Sequence, residues 1–392
     1  MRNILLIGGT GVLSTAVTKE SLQKGIKVTM INRGNNRKKI PEQAELIVSD
    51  KNNTEYIRKK LEGRHFDAVI DFLCFNDKEL ENSFNLYSSF TDQYFFISTA
   101  GVYNNSISGP CDEDHPKVQP LWPYSINKWK SEEKLVLLAS KANVKYTIIR
   151  PMVTYDDTRI PYGIAPFYGF HWTFVSRILN NKPIISWNNG ENRCNMMRVE
   201  DFAIGVVGLI GNEKAYNEAF NICGDETPSY KEVMDTVGRI VNHPVIYVDI
   251  DSRFYAEKYP ERKGELLGGR AIDSIIDNSK IKAVVPEFRQ NILLEEGIRK
   301  TIDAYISKKY QKGIDWNFDA DTDRVISQWC KHKGINAKEY NLHFLDYLSN
   351  ATLNDRMNYY LRRYRNLFWV SLYLKFESWL KVTAYKILNK IK

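Results

Sequence analysis

The chain lacks several features that would narrow its class at once. Its five cysteines (Cys74, Cys111, Cys194, Cys223, Cys330) are an odd number, and no two stand in a CxxC spacing. That argues against a disulfide framework and against structural zinc, and it suits a reducing cytosol. The N-terminal run Met1-Arg2-Asn3-Ile4-Leu5-Leu6-Ile7-Gly8 is too short for a signal peptide and leads directly into a strand. Internal repeats and low-complexity stretches are missing as well.

What is present reads as an ordinary soluble chain of two lobes with an appendage, since 392 residues exceed the roughly 100–200 of one domain. The hydrophobic fraction is 43% and the charged fraction 26%. The net charge of +8 is unevenly placed. From Leu353 to Lys392 there are nine Lys/Arg and two acids, leaving 46 basic and 45 acidic residues in the rest of the chain. The body is near neutral, so the excess charge is no nucleic-acid footprint and nucleic acid is not an expected partner.

Short apolar runs alternate with helix-like segments through the first half. Strands are expected at Asn3–Ile7, Lys27–Ile31, Glu45–Val48, Phe66–Phe72, Gln93–Ser98 and Lys145–Ile149, and helices at Thr15–Lys24 and Pro123–Ala142. Strands buried on both faces and alternating with helices predict an α/β, Rossmann-type doubly wound parallel sheet. The chain after Pro151 is irregular and aromatic (Tyr155, Tyr162, Phe167, Tyr168, Phe170, Trp172, Phe174), which suits a smaller C-terminal substrate lobe. A helix at Val199–Ile210 and a strand at Ala219–Ile222 are expected to return to the first domain, with later helices at Tyr230–Val241 and Leu293–Ser307. The expected division is a dinucleotide domain over 1–155, with returning segments near 199–223. A substrate lobe follows over 156–315 and a helical basic/aromatic extension over 316–392.

Gly8-Gly9-Thr10-Gly11-Val12-Leu13-Ser14 lies between a strand and a helix. Glycines there let the backbone approach a pyrophosphate whose charge sits at the helix N-terminus. Ser14 stands where a third glycine would close helix-to-strand packing. The second strand normally ends in an acid that binds the adenosine ribose; here it ends in Asn32-Arg33. Loss of the carboxylate removes repulsion toward a 2′-phosphate, which Arg33 can pair with, and this leans toward NADP over NAD. The alternative is a solvated turn arginine. Asp50, ending the third strand, is placed to reach the adenine amino group or to cap a helix.

Tyr124-Ser125-Ile126-Asn127-Lys128 has YxxxK spacing, and residues four apart share a helix face. A phenol with a pKa of about 10 is a poor base at neutral pH, and a nearby ammonium stabilises its phenolate. The preceding strand ends Ser98-Thr99-Ala100-Gly101. Thr99 is the hydroxyl expected beside Tyr124, with Ser98 the second choice. Asp112, Glu113, Asp114 and His115 precede this helix and read as a solvated loop, with no metal site expected.

These motifs resemble the extended short-chain dehydrogenase/reductase superfamily, specifically its NAD-dependent epimerase/dehydratase group. Further pieces over roughly 1–310 agree. Ile149-Arg150-Pro151 resembles the group's Arg-Pro near the nicotinamide, and Arg198-Val199-Glu200-Asp201-Phe202-Ala203 its "HVDDVA" element. Phe220-Asn221-Ile222-Cys223-Gly224 resembles "FNIGG", while Asp277–Ile281 and Leu294–Ile298 match its late elements. The resemblance implies a Thr99, Tyr124, Lys128 catalytic set, with Lys128 also holding the nicotinamide ribose and Pro151 beside the ring. It also implies a substrate-phosphate arginine near Cys194, where Arg193 and Arg198 are the candidates. Dehydratases resembling this group carry Asp-Glu where this chain has Ala100-Gly101, so water elimination is not expected. Leu73 and Cys74 replace the usual small residues after the fourth strand.

The leading expectation is a nucleotide-sugar epimerase acting by transient hydride transfer. The alternatives are an NADPH-dependent reductase of a keto-sugar or other carbonyl, and a non-catalytic dinucleotide-sensing or RNA-binding relative. The Asn-Arg-Gly strand end resembles a branch with RNA-binding members. The basic, aromatic tail over 353–392 either lies on a membrane headgroup surface or packs on the body or a homodimer partner. Its longest nearly uncharged run, Asn366 to Leu374, is far short of the roughly 20 residues that span a bilayer. A cytoplasmic location is expected, with the inner membrane face as the surface such a tail would reach.

Overall fold

In β1 (Asn3–Ile7) every side chain from Ile4 to Ile7 is buried. Successive strand residues point to opposite faces, so Ile4 and Leu6 enter one apolar layer while Leu5 and Ile7 enter another. The computed structural model that shows this describes residues 2–107, 111–117, 121–308, 313–342 and 351–391. Within the tail, Lys392 and the side chains of Lys381, Lys386, Ile387, Leu388 and Lys390 lie outside the described residues.

The strands that follow are β2 (Lys27–Asn32), β3 (Glu45–Val48), β4 (Ala68–Asp71), β5 (Gln93–Ile97) and β6 (Lys145–Pro151). Three short ones, β7 (Val153–Tyr155), β8 (Ile184–Ser186) and β9 (Met196–Arg198), precede β10 (Glu218–Ile222) and β11 (Tyr247–Asp249). The main sheet has seven parallel strands in the order β10-β6-β5-β4-β1-β2-β3. The chain reverses its direction of growth between β1 and β4. A ligand crevice is expected at the carboxyl ends of strands beside such a switch.

Helices α1 (Val12–Gln23), α2 (Thr54–Leu61), α3 (Asp77–Tyr87) and α4 (Pro123–Ala142) serve this sheet. They are followed by α5 (Trp172–Leu179), α6 (Val199–Gly208), α7 (Tyr230–Ile240), α8 (Ser252–Lys258), the one-turn α9 (Lys263–Glu265) and α10 (Ser279–Val284). The last four are α11 (Leu294–Ser307), α12 (Trp316–Lys333), α13 (Leu353–Arg363) and α14 (Phe368–Ile391). Residues of α1, α6 and α10 cover one face of the sheet, and residues of α2, α3 and α4 cover the other. The first helix begins at Val12 rather than Thr15, because extended Gly11 supplies its N-cap.

A second core unites β7, α5, α7, α8, α11 and α12. Phe318, Val325, Ile326 and Trp329 of α12 are buried in it, so α12 is packed into the lobe rather than appended at 316. Charge fixes it there. Arg177 and Lys182 both meet Asp319 and Asp323, at 2.5–3.1 Å, with all four side chains fully buried. Charged pairs out of water persist only when fully partnered, and here two cations face two anions. Local sequence carries no sign of this, because the partners lie over 130 residues apart.

Candidate active site

The turn between β1 and α1 is shaped by two left-handed glycines, Gly8 (φ +114°) and Gly9 (φ +94°). A Cβ on Gly9 would stand 2.0 Å from the Met30 methyl, which would have to move, and the backbone angle itself favours glycine. Ser14 is buried, and its Oγ accepts the Gly11 N–H at 2.9 Å. The position expected only to pack helix on strand therefore also ties down the turn. No acid occupies the first turn of α1, so its unpaired amides present a positive end.

Asn32 is committed to the same turn. Its Nδ2 donates to the Gly8 carbonyl at 2.9 Å, while its Oδ1 accepts the Gly34 N–H at 2.8 Å. A carboxamide can bridge a carbonyl and an amide in this way, and a carboxylate cannot donate. Asn32 thus acts on the backbone of the turn rather than standing free toward a ribose. Arg33 is exposed beside it, followed by the exposed Arg37, Lys38 and Lys39. Asp50 is exposed and accepts the Asn52 N–H at 2.9 Å, whereas α2 is capped by Asn53. The helix-cap reading of Asp50 does not hold.

Across the crevice, Leu73 stands 3.5 Å from the position of a Gly8 Cβ. The Cys74 thiol is buried, and its backbone carbonyl faces α4. Pro151 ends β6, buried opposite Ile222.

Pro123 opens α4 at a position where a missing N–H costs nothing. Tyr124, Lys128 and Glu132 then follow at intervals of four, along one face. Lys128 is buried, and its Nζ donates to the carbonyls of Cys74 at 2.6 Å and Ile97 at 2.7 Å. It lies 5.9 Å from the Tyr124 ring centre and 4.8 Å from that of Phe96. Burial pulls the Lys128 ammonium down to about 8, against the opposing fields of Cys74, Asp71 and Glu132.

Burial pushes the Tyr124 phenol up to about 12, and neighbouring Tyr168 adds to the rise. A hydrogen bond with Thr99 and the charges of Arg270 and Arg159 pull it back. The cations that favour the phenolate here are thus these two arginines. The expected contribution of Lys128 is diverted, because two carbonyls capture its ammonium. Thr99 also accepts the Gly101 N–H at 3.1 Å. Ser98, the second-choice hydroxyl, is turned away: its Oγ donates to Glu132 at 2.5 Å. A Cβ at Gly101 would come within 2.9 Å of Ser125 Oγ, so a side chain there would displace that hydroxyl.

Glu132 was not singled out by the sequence, yet its spacing from Tyr124 and Lys128 was readable. It pairs with buried Arg150 at 2.7 Å, and Arg150 donates to the Tyr103 hydroxyl at 2.8 Å. Tyr103 in turn donates to Asn221 at 2.6 Å. This buried network joins α4, β5, β6 and β10 behind the Thr99–Tyr124 pair. The acidic segment is part of the same build: Glu113 accepts the Asn221 N–H at 2.7 Å and His115 is buried. It is not a fully solvated loop, and burial raises the Glu113 carboxyl. Among the described residues no cluster suits a metal ion.

The two candidate phosphate arginines diverge. Arg198 is buried, with Glu200 at 2.6 Å, Asp157 at 2.8 Å and Thr301 at 3.3 Å, so its guanidinium is neutralised by its own chain. It does not stand as a free anion clamp. Arg193 is partly exposed and pairs with Glu232 at 3.1 Å. The sequence missed Arg270. It lies 5.7 Å from the Trp122 ring and 3.6 Å from Glu265 and hydrogen-bonds with Tyr230, while its Nε has no hydrogen-bond partner among the described residues. Only the preceding Gly268-Gly269 marks it in the sequence, and no spacing pointed to it. Arg159, over Tyr168 at 5.0 Å, was missed too.

With this geometry in view, residues 4–223 match the model of the NAD dependent epimerase/dehydratase family. The chain belongs to this family. Among curated relatives, the chloroplast stem-loop binding protein of 41 kDa b from Arabidopsis thaliana is 29% identical over 241 residues. That match takes in 57% of this chain and 59% of the relative, less than two thirds of its length. A putative UDP-glucose 4-epimerase from Methanocaldococcus jannaschii is 24% identical, over 76% of this chain and 97% of the relative. The fold is that of solved epimerases. The UDP-glucuronic acid 4-epimerase of Bacillus cereus, solved with UDP-glucuronic acid and NAD, superposes with a TM-score of 0.62. It is 18% identical, over 79% of this chain and 100% of that one.

Proposed function

We propose that this family member is a nucleotide-sugar epimerase that works by transient hydride transfer, with Tyr124 as its acid–base group. The observation that carries the reading is the meeting of Thr99 and Tyr124 beside Lys128. It lies at the same carboxyl end of the parallel sheet as the glycine turn. The turn fits a dinucleotide, since two glycines at positive φ bring its backbone round to the start of α1 and that helix end carries no acid.

Gly8, Gly9, Thr10, Gly11, Val12 and Leu13 hold the pyrophosphate in this reading. Arg33 and Asp50 face the adenosine half, and Lys128 and Pro151 the nicotinamide half. When bound, the nicotinamide supplies the acceptor and donor of hydride. Tyr124 takes the proton of a ring hydroxyl and returns it. Thr99 orients that oxygen, and the fields of Arg270 and Arg159 favour the phenolate during proton transfer. Arg193 and Arg270 are the arginines assigned to a substrate diphosphate.

Two observations favour other readings. An exposed Arg33 with no acid at the β2 end suits a cofactor with a 2′-phosphate, and so an NADPH-dependent reductase. The 29% identity to a stem-loop binding protein supports an RNA-binding relative. One experiment separates all three. The purified chain is denatured, its released nucleotides are identified, and the intact protein is offered UDP-glucose, UDP-glucuronic acid and a stem-loop RNA. A retained dinucleotide with 4-epimer interconversion and no net reductant is expected. Consumption of NADPH, or RNA binding without any turnover, would overturn the reading.

A further inference from the structure

Helix α14 exposes Phe368, Trp369, Leu372, Tyr373, Phe376, Trp379 and Leu380, with Trp369 76% and Phe368 71% exposed. At about 100° per residue these seven fall within one arc of roughly 140°. Isolated exposed apolar residues need no explanation, but a contiguous stripe of this size does. We propose that α14 is a docking helix for an anionic lipid surface, a role independent of the reading of the active site.

The neighbouring helix shows why α14 alone makes the contact. Tyr359 of α13 is buried, and its hydroxyl donates to Asp323 at 2.5 Å. Arg362 meets Asp321 at 2.7 Å, Arg363 donates to Ser327 at 2.6 Å, and Arg365 reaches Glu261 at 3.2 Å. These arginines are occupied by the body of the protein. They make α13 a bracket that holds α14, rather than part of the basic surface over 353–392 taken as a unit.

The occupant follows from charge and shape. Beyond Asn366 the sequence holds five lysines (Lys375, Lys381, Lys386, Lys390, Lys392) and a single acid, Glu377. Such a helix is complementary to an anionic surface and repels a second copy of itself. Trp, Tyr and Phe are the side chains that settle at a headgroup boundary, with lysines reaching outward to phosphates. No helix among the described residues is long and apolar enough to cross a membrane, so α14 would lie along the surface.

The test is sedimentation of the full chain with vesicles of phosphatidylcholine alone and of phosphatidylcholine containing one quarter phosphatidylglycerol. At least about tenfold more protein should pellet with the anionic vesicles, and high salt should weaken this. Trp369→Ser with Trp379→Ser, and separately Lys381→Glu with Lys386→Glu, should each reduce pelleting about tenfold. Trp369 and Trp379 are exposed, and an unchanged melting temperature checks that both variants fold. Protein left in the supernatant of both vesicle types overturns the proposal, as does unchanged pelleting of both variants. Self-association in solution that the tryptophan pair abolishes, without vesicle binding, assigns the stripe to a second copy instead.

Discussion

The Lys128 ammonium donates to the Cys74 carbonyl at 2.6 Å, linking the helix that carries Tyr124 to the loop after β4. That contact fixes a charged group in a nearly dry position, and burial draws its ionisation down to about 8. Activity should therefore fall on the alkaline side. Below about pH 8 the ammonium is charged, so it ties the two carbonyls together and can hold the nicotinamide half; above it the charge is lost. A pH profile of kcat/KM with an alkaline limb near pH 8 is expected. A profile flat from pH 7 to about 10 would contradict the role assigned to Lys128.

The same group affects stability with a definite sign. Its ionisation is lower when folded than when unfolded, so between about pH 8 and pH 10 the unfolded chain binds more protons. The Lys128 contribution to stability rises with pH over that window. Denaturant unfolding of the parent and of Lys128→Met should show the parent's stability, relative to the variant's, higher at pH 9.5 than at pH 7.5.

Asn32→Asp keeps the acceptor for Gly34 but replaces a donor with a carboxylate facing the Gly8 carbonyl. A loss of about 1–3 kcal/mol is expected, read as a lower denaturation midpoint. Arg33→Ala leaves the turn intact and should weaken NADPH binding about tenfold more than NADH binding, measured by fluorescence titration. Equal losses for both cofactors would remove Arg33 from the 2′-phosphate assignment.

The arginines should separate cleanly. Arg198→Met removes the partner of Glu200 and Asp157, both about half exposed, and should cost about 1–3 kcal/mol of stability while KM for an active sugar nucleotide stays near the parent's. Arg270→Met should raise KM at least about tenfold with a smaller loss of stability. Thermal melts and steady-state kinetics on both variants check this. A reversed pattern would return the anion site to Arg198.

The sheet was legible because β1 and β5 carry apolar runs and β2 a β-branched one, and burial on both faces points to a doubly wound arrangement. The return of Ala219–Ile222 to the first domain was legible for the same reason. The YxxxK face was legible from helical periodicity, and Glu132 extends it by one more turn. Arg270 was not, since its proximity to Tyr124 depends on how the second lobe folds back over α4. The fate of Arg198 was equally hidden. A positive charge in sequence does not show whether Asp157, 41 residues away, will neutralise it. The packing of α12 into the lobe rests on Arg177 and Lys182, whose partners lie far along the chain.

The most direct test is turnover of UDP-glucose and UDP-glucuronic acid by the parent and by Tyr124→Phe, with bound nucleotide measured in each. The account predicts that Tyr124→Phe retains its dinucleotide and loses at least about 100-fold in kcat. Equal turnover by the two proteins would contradict it.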